Sequence, residues 1–398
     1  MKPRIAVIDD AGFGLSGGRG IFGKEVYSEL LARINEEYLG NEVFRVLLGY
    51  GASEVPVYRF TGSKIPIVRV IADRGLEEGL TRFFREKRID IVHANILNPR
   101  YVIPLLRAVK RSGAGLVYTV HSYTPLCPIN WKTYIPSMKP CTYRYPSSKC
   151  LWCIHEWRKR FNESSTKALR GLMQIELIRK LMGEADAVIS PSERFAEIAR
   201  RELNVETRYI LNPLNPSLLD EGASSRAENR GYALFIGRLE YEKGVHLLPE
   251  IAKLINPVEL HVAGQGRLAD YIEKNKPQNL VFHGYVDPET KAKLYRGTTV
   301  VVAPSIWMEM FGYTVVEAFA YSKPVVAFNH AGPGELIEKS GGGLLAKPFD
   351  VYELAQNTRR FVEEGLTEML GLKGREFVER QLHPAKYAQE LSKIYTSI

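Results

Sequence analysis

Two glutamates, Glu309 and Glu317, close the stretch EMFGYTVVE, which carries Phe311-Gly312-Tyr313 between them. The stretch follows VVVAPS, an apolar run that reads as a buried strand, and opens a run that reads as a helix. The spacing predicts Glu309 on the loop leaving the strand and Glu317 in the second turn of the helix. Phe311, Gly312 and Tyr313 then form the helix start, where backbone N–H groups and the dipole attract phosphate or sugar hydroxyls. Gly312 lets the backbone approach a ligand closely. Carboxylates repel phosphate, so the two acids are expected to accept hydrogen bonds from hydroxyls on either side of an anion. A nucleotide sugar has that layout. The plain alternative is a loop acid plus a helix-start acid favoured by the dipole.

Other candidate groups follow short apolar runs in the same way. In GRLEYEKG, residues 237–244, Arg238 leaves a strand and Lys243 precedes a helix, so both can reach a diphosphate and neutralise charge on a leaving group. Surface charges are the alternative for either cation alone. GQGR at 264–267 and AGPGE at 331–335 place glycines ahead of helices. Near the N-terminus, GLSGGRGIFGKE offers Gly17 and Gly18, whose backbone could face a phosphate or form a simple surface turn. His121 ends GLVYTV, a position from which an imidazole reaches a cleft.

The elements that must hold these groups are alternating strands and helices. From Tyr232 the runs YALFIG, ELHVAG, NLVFHG, VVVAPS and PVVAFN are nearly all apolar and are separated by amphipathic segments. Such runs suit parallel strands covered on both faces. The first half repeats the pattern in RIAVIDD, VFRVLLGY, DIVHAN, GLVYTVHS, AVISPS and TRYILNP. The fold class expected is α/β, with two Rossmann-like doubly wound domains facing a central cleft. The divisions are 1–213 with an irregular insertion at about 122–156, a Pro/Ser/Gly-rich linker at 214–231, a second domain at 232–375 and a C-terminal helix at 376–398.

At 398 residues the chain is long enough for two domains, and 45% hydrophobic with 25% charged residues suits a globular protein. No apolar run approaches the ~18 residues of a membrane span. MKPRIAVIDD reads as a first strand rather than a signal peptide, so a cytoplasmic location is expected. The net charge of +9 favours an anionic partner without choosing one. Aromatic stacking motifs for nucleic acid are not evident, which ranks that partner last. The basic stretch from Leu151 to Met182 is compatible with peripheral contact at the inner membrane face, and equally with a core helix that has a wet face.

All four cysteines, Cys127, Cys141, Cys150 and Cys153, lie in the insertion. The C-x-x-C pair suits a structural zinc site, while the irregular spacing of the other two leaves disulfides and free thiols open.

GRLEYEKG, HVAGQG, VFHGYV, VVVAPS, EMFGYTVVEAFAYSKPVVA, AGPGELI and GLLAKPFD resemble, in order and spacing, the GT-B retaining glycosyltransferases of the GT4 family. The resemblance is strong over 232–398 and looser before it, through SGGRG, DIVH, TVHS and the Asn212 turn. It implies that Glu309 holds donor-sugar hydroxyls, Glu317 the ribose and Arg238 and Lys243 the diphosphate. Phe311, Gly312 and Tyr313 would touch sugar or phosphate through backbone amides. His121, Gly17 and Gly18 would close from the opposite domain, and Gly284-Tyr285 would cradle the base. The implied reaction moves a sugar from a nucleotide-diphosphate donor to an acceptor hydroxyl with retention, by a front-face route needing no catalytic metal. A GT-B phosphorylase, a nucleotide-sugar epimerase and a non-catalytic nucleotide-sugar-binding module are the rival readings. Ser322, where glycine is commoner, and the Pro-Leu after Asn212 depart from the pattern.

Overall fold

The computed structural model describes residues 2–10, 24–48, 58–60, 73–96, 98–223 and 231–398. Gly17 and Gly18 lie outside the described residues. Apolar runs become strands, as their composition demands. The first sheet is built from β1 (Arg4–Asp10), β2 (Glu42–Leu48), β3 (Tyr58–Phe60), β4 (Ile91–Ala94) and β5 (Gly115–Thr119). After a small antiparallel hairpin, β6 (Thr133–Tyr134) with β7 (Lys139–Pro140), come β8 (Ala187–Ser190) and β9 (Thr207–Tyr209). The order is β3-β2-β1-β4-β5-β8-β9, with every pair parallel.

The second sheet contains β10 (Tyr232–Ile236), β11 (Leu260–Ala263), β12 (Leu280–Gly284), β13 (Thr298–Ala303), β14 (Val325–Phe328) and β15 (Gly343–Ala346). Its order is β12-β11-β10-β13-β14-β15, again all parallel. Both sheets reverse direction of winding beside their first strand, between β1 and β4 and between β10 and β13. Helices cannot cover the strand ends at such a switch point, so a crevice opens there.

Two parts of the chain differ from their sequence reading. The expected linker contains a helix, Pro216–Ala223, which packs so closely that a Cβ at Gly222 would meet the Ala320 carbonyl at 1.9 Å. The insertion is ordered around the hairpin and the helix Ser148–Phe161. Its Trp131, Trp157 and Phe161 share a hydrophobic cluster with Leu239, Val245 and Ile306 of the second half. The final helix, Pro384–Tyr395, sets Tyr387, Leu391 and Ile394 among Ile5, Val7 and Tyr27 of the first half. There Tyr395 also hydrogen-bonds His93 at 2.7 Å.

Candidate functional site

The crevice beside β10 collects the loops that follow β10, β11 and β13. They lie close because glycines permit it. Gly244, at φ +73°, has its missing Cβ position 1.9 Å from the Pro304 carbonyl, so the β10 and β13 loops touch there. Gly312, at φ +97°, starts the helix Tyr313–Ala320 without a side-chain cap. A Cβ there would crowd Pro333.

Lys243 and Glu309 meet across these loops, with Nζ 2.6 Å from Oε1 and both side chains largely buried. The Ser305 hydroxyl donates to the same carboxylate oxygen. Burial alone would raise the pKa of Glu309. The charge of Lys243, with hydrogen bonds from Lys243 and Ser305, outweighs it and holds the carboxyl below its ordinary value. Arg238 pairs with Glu242 of its own loop at 3.0 Å and keeps about a third of its side chain exposed (35%). Next to it Arg267 of the GQGR loop reaches Glu240 at 2.6 Å.

The acids of the opening nonapeptide therefore work in separate groups. Glu317 is buried in its helix, where Oε2 takes Lys291 Nζ at 2.6 Å and the Tyr295 hydroxyl at 2.8 Å. Tyr295 in turn stacks on Tyr321 with centroids 5.1 Å apart. Gly284 ends β12 with φ +65°, followed by Tyr285, which is exposed. From the first half, His121 lies just beyond β5, with Nε2 3.1 Å from Asn95 Oδ1 and its ring edge-on to Tyr27 at 4.8 Å. Tyr313 accepts a hydrogen bond from the Asn212 amide at 2.8 Å, which ties the crossover between the halves to the helix start.

The AGPGE segment differs from its reading. Its glycines lie within the helix Ala331–Ser340, and Glu335 reaches the other half. It accepts from Ser192 Oγ at 2.7 Å and from the Glu193 and Arg194 N–H groups at 3.0 Å each, capping the helix Glu193–Leu203. Sequence reasoning passed over Glu240, Glu242, Ser305, Lys291 and Tyr295. Both acids lie between the two cations in GRLEYEKG, and Lys291 and Tyr295 stand four apart in DPETKAKLYRG, the spacing of one helix face. Ser322 adopts φ +55°, which explains why a glycine suits that position.

The four cysteines line one cavity, and none is in a disulfide. Burial pushes the Cys153 thiol up to about 12. Among the described residues no group of three or more His, Cys, Asp or Glu is set to hold a metal ion. Among the described residues, too, no helix is long and apolar enough to cross a membrane.

Two doubly wound parallel-sheet domains with this crevice make up the GT-B fold. Over its full length the chain is similar to the Anabaena protein HepE, solved with UDP, at a TM-score of 0.69 and 20% identity, with 100% of both chains covered. Sucrose-phosphate synthase from Thermosynechococcus elongatus matches at 0.71 and 18% identity, covering 100% of this chain and 99% of that one. Residues 220–377 match the family profile of glycosyl transferases group 1, and residues 39–218 that of Glycosyltransferase Family 4. Each half of the chain thus resembles a glycosyltransferase family, Family 4 in the first and group 1 in the second. Among curated relatives, an uncharacterized glycosyltransferase of Methanocaldococcus jannaschii is 35% identical over 140 residues, covering 33% of this chain and 35% of the relative. Glycogen synthase of Mycobacterium tuberculosis is 32% identical over 140 residues, covering 33% and 34%. The matched stretch thus spans about a third of each of those two relatives.

Proposed function

We propose that the protein transfers a sugar from a nucleoside-diphosphate sugar to an acceptor hydroxyl, with retention at the anomeric carbon. The observation that carries this reading is the Lys243–Glu309 pair at the switch point of the second sheet. An ammonium has three donors and spends one on Glu309, so the others can meet a diphosphate. A carboxylate kept ionised is an acceptor only, and suits sugar hydroxyls. Arg238, on the same loop, adds a second cation for the departing phosphate. With those charges supplied by the chain, catalysis needs no metal, and the leaving phosphate takes the proton of the acceptor. Retention rests on the resemblance of residues 232–398 to retaining enzymes. UDP is the nucleotide favoured, since the Anabaena neighbour was solved with UDP and with UDP-glucose.

A thermal-shift series with UDP, GDP, ADP and UDP-glucose tests the reading. A true donor at ~100-fold its Kd stabilises by about 2.7 kcal/mol. Transfer to an added acceptor should survive chelator, and the product should keep the donor's anomeric configuration by NMR. No shift with any nucleotide would sink the proposal, while binding without transfer or hydrolysis would mark a non-catalytic module.

We also propose that the acceptor side rests on an anionic lipid surface. Residues 139–170 hold eight basic residues, from Lys139 to Arg170, against Glu156 and Glu163. Leu151 (65%), Trp152 (53%) and Leu169 (60%) are exposed on the same two consecutive helices. Apolar side chains amid cations fit the headgroup region of acidic lipid. Co-sedimentation with phosphatidylglycerol vesicles, lost in Trp152→Ala and absent with phosphatidylcholine, is the expected result. Equal recovery with both lipids counts against it.

A further inference from the structure

We propose that the cysteine-bearing insertion is a strap whose residues 131–133 position the loop carrying Glu309, making Thr133 a positioning residue. This rests on the glycosyltransferase reading above. The loop between β13 and Glu309 is held on two edges. On one, the Ile306 and Trp307 N–H groups donate to the Glu242 carbonyl at 3.0 and 3.4 Å, joining it to the loop of Arg238 and Lys243. On the other, the Thr133 hydroxyl donates to the Ile306 carbonyl at 2.7 Å, and the Met308 N–H donates to the Trp131 carbonyl at 2.9 Å. Met308 immediately precedes Glu309.

The strap is itself fastened to the first half. Lys132, between the two contacts, is buried, and its ammonium reaches the Tyr143 carbonyl at 3.0 Å and Glu202 at 3.5 Å. Asn130 and Lys132 adopt φ +60° and +48°, left-handed values that cost energy in a residue with a Cβ. This turn directs successive residues to opposite sides: Trp131 and Thr133 to the donor loop, Lys132 to the first half. Below it, the Cys153 thiol donates to the Thr133 carbonyl at 3.7 Å and its sulfur accepts from the Ile135 N–H at 3.5 Å. Beside it, Phe161 packs on Tyr241 at 5.1 Å and Glu163 pairs with Arg267 at 3.2 Å. The cysteine cavity thus shapes a strap that touches the loops after β10, β11 and β13 together. Glu309 comes into register with a sugar only when the two halves are joined through it.

Thr133→Val keeps the shape and removes the donor, leaving the buried Ile306 carbonyl without its partner. Hydrogen exchange in peptides spanning 304–310 should quicken about tenfold in Thr133→Val and return to wild type in Thr133→Ser. In kinetics with UDP-glucose, Thr133→Val should raise the donor KM and lower kcat by about tenfold in kcat/KM, with the Kd for UDP unchanged and Thr133→Ser restoring both. Unchanged exchange in Thr133→Val overturns the strap whatever the activity. So does a parallel loss of UDP and UDP-glucose affinity that serine does not rescue, which is the mark of general destabilisation. A wild-type protein that ignores UDP-glucose while the exchange result holds would count against the donor reading and not the strap.

Discussion

The two sheets wind the same way around their first strand, yet their strand ends carry different chemistry. In the second half the crevice is lined by ion pairs: Lys243 with Glu309, Arg238 with Glu242 and Arg267 with Glu240. In the described part of the first half, β1 ends in Asp9 and Asp10, and β4 and β5 lead to Asn95 and His121. The topology dictates that both halves open at the same place, and the side chains decide what each accepts. Paired cations can release toward a diphosphate. The acids repel one, and acids and a neutral amide alike suit hydroxyls. A likeness of fold alone would have assigned the two crevices equal roles.

The sharpest way to break this comparison is to remove the cation of the better buried pair. Lys243→Ala should cut kcat about 10²-fold, the loss of one preorganised charge on a leaving group. It also strands Glu309, so the folded fraction must be measured by calorimetry alongside the rate. His121→Ala, on the other side, should leave the Kd for UDP as in wild type. Near wild-type kcat in Lys243→Ala, or a UDP affinity lost equally in both variants, would erase the division of labour.

A smaller effect separates the two acids of the nonapeptide. Glu317 sits with Lys291 and Tyr295, apart from the Lys243 group, so its proposed role is to hold the ribose rather than the reacting sugar. Glu317→Ala should raise the donor KM about tenfold, one charged hydrogen bond, with kcat changed by no more than about twofold. Steady-state kinetics with varied UDP-glucose reads both. An unchanged KM removes Glu317 from the donor site.

How much of this was legible beforehand differs between the halves for a physical reason. Strands covered on both faces write themselves as apolar runs, so β10 to β14 and most of the first sheet could be read directly. β3, only Tyr58–Phe60 and largely exposed, has no such signature. Arg238, Lys243 and Glu309 follow strands in sequence, and a strand-end rule finds them. Their partners do not announce themselves: Lys243 meets Glu309 across 66 positions. Thr133 lies still further from its contact, 173 positions from Ile306, in a segment without periodicity. The cysteines suggested a metal or a crosslink because spacing reports on candidate ligands. It carries no information about a thiol that bonds the backbone carbonyl of Thr133. Glu335, read only as the end of a glycine turn, joins the halves by accepting from the N–H groups of Glu193 and Arg194 at the start of the helix that Ser192 caps.

The smallest effect concerns pH, and its sign follows from the direction of the Glu309 shift. The folded protein holds this carboxyl below the ordinary glutamate value of 4.5, through Lys243 and Ser305 and despite burial. A depressed pKa stabilises the fold at pH values above the unfolded value, and that contribution is lost as pH falls from 4.5 through the folded value. Glu309→Gln has no such charge to lose. At pH 7 it should melt below wild type by about 3 °C, as a modest loss in a two-domain chain would give. Below pH 4.5 the two melting temperatures should converge. Glu317→Gln serves as the control for a carboxylate outside the Lys243 group. Parallel curves for wild type and Glu309→Gln down to pH 3 would mean that Lys243 does not hold Glu309 ionised, and the contrast between a charge-gripping half and a hydroxyl-accepting half would lose its central pair.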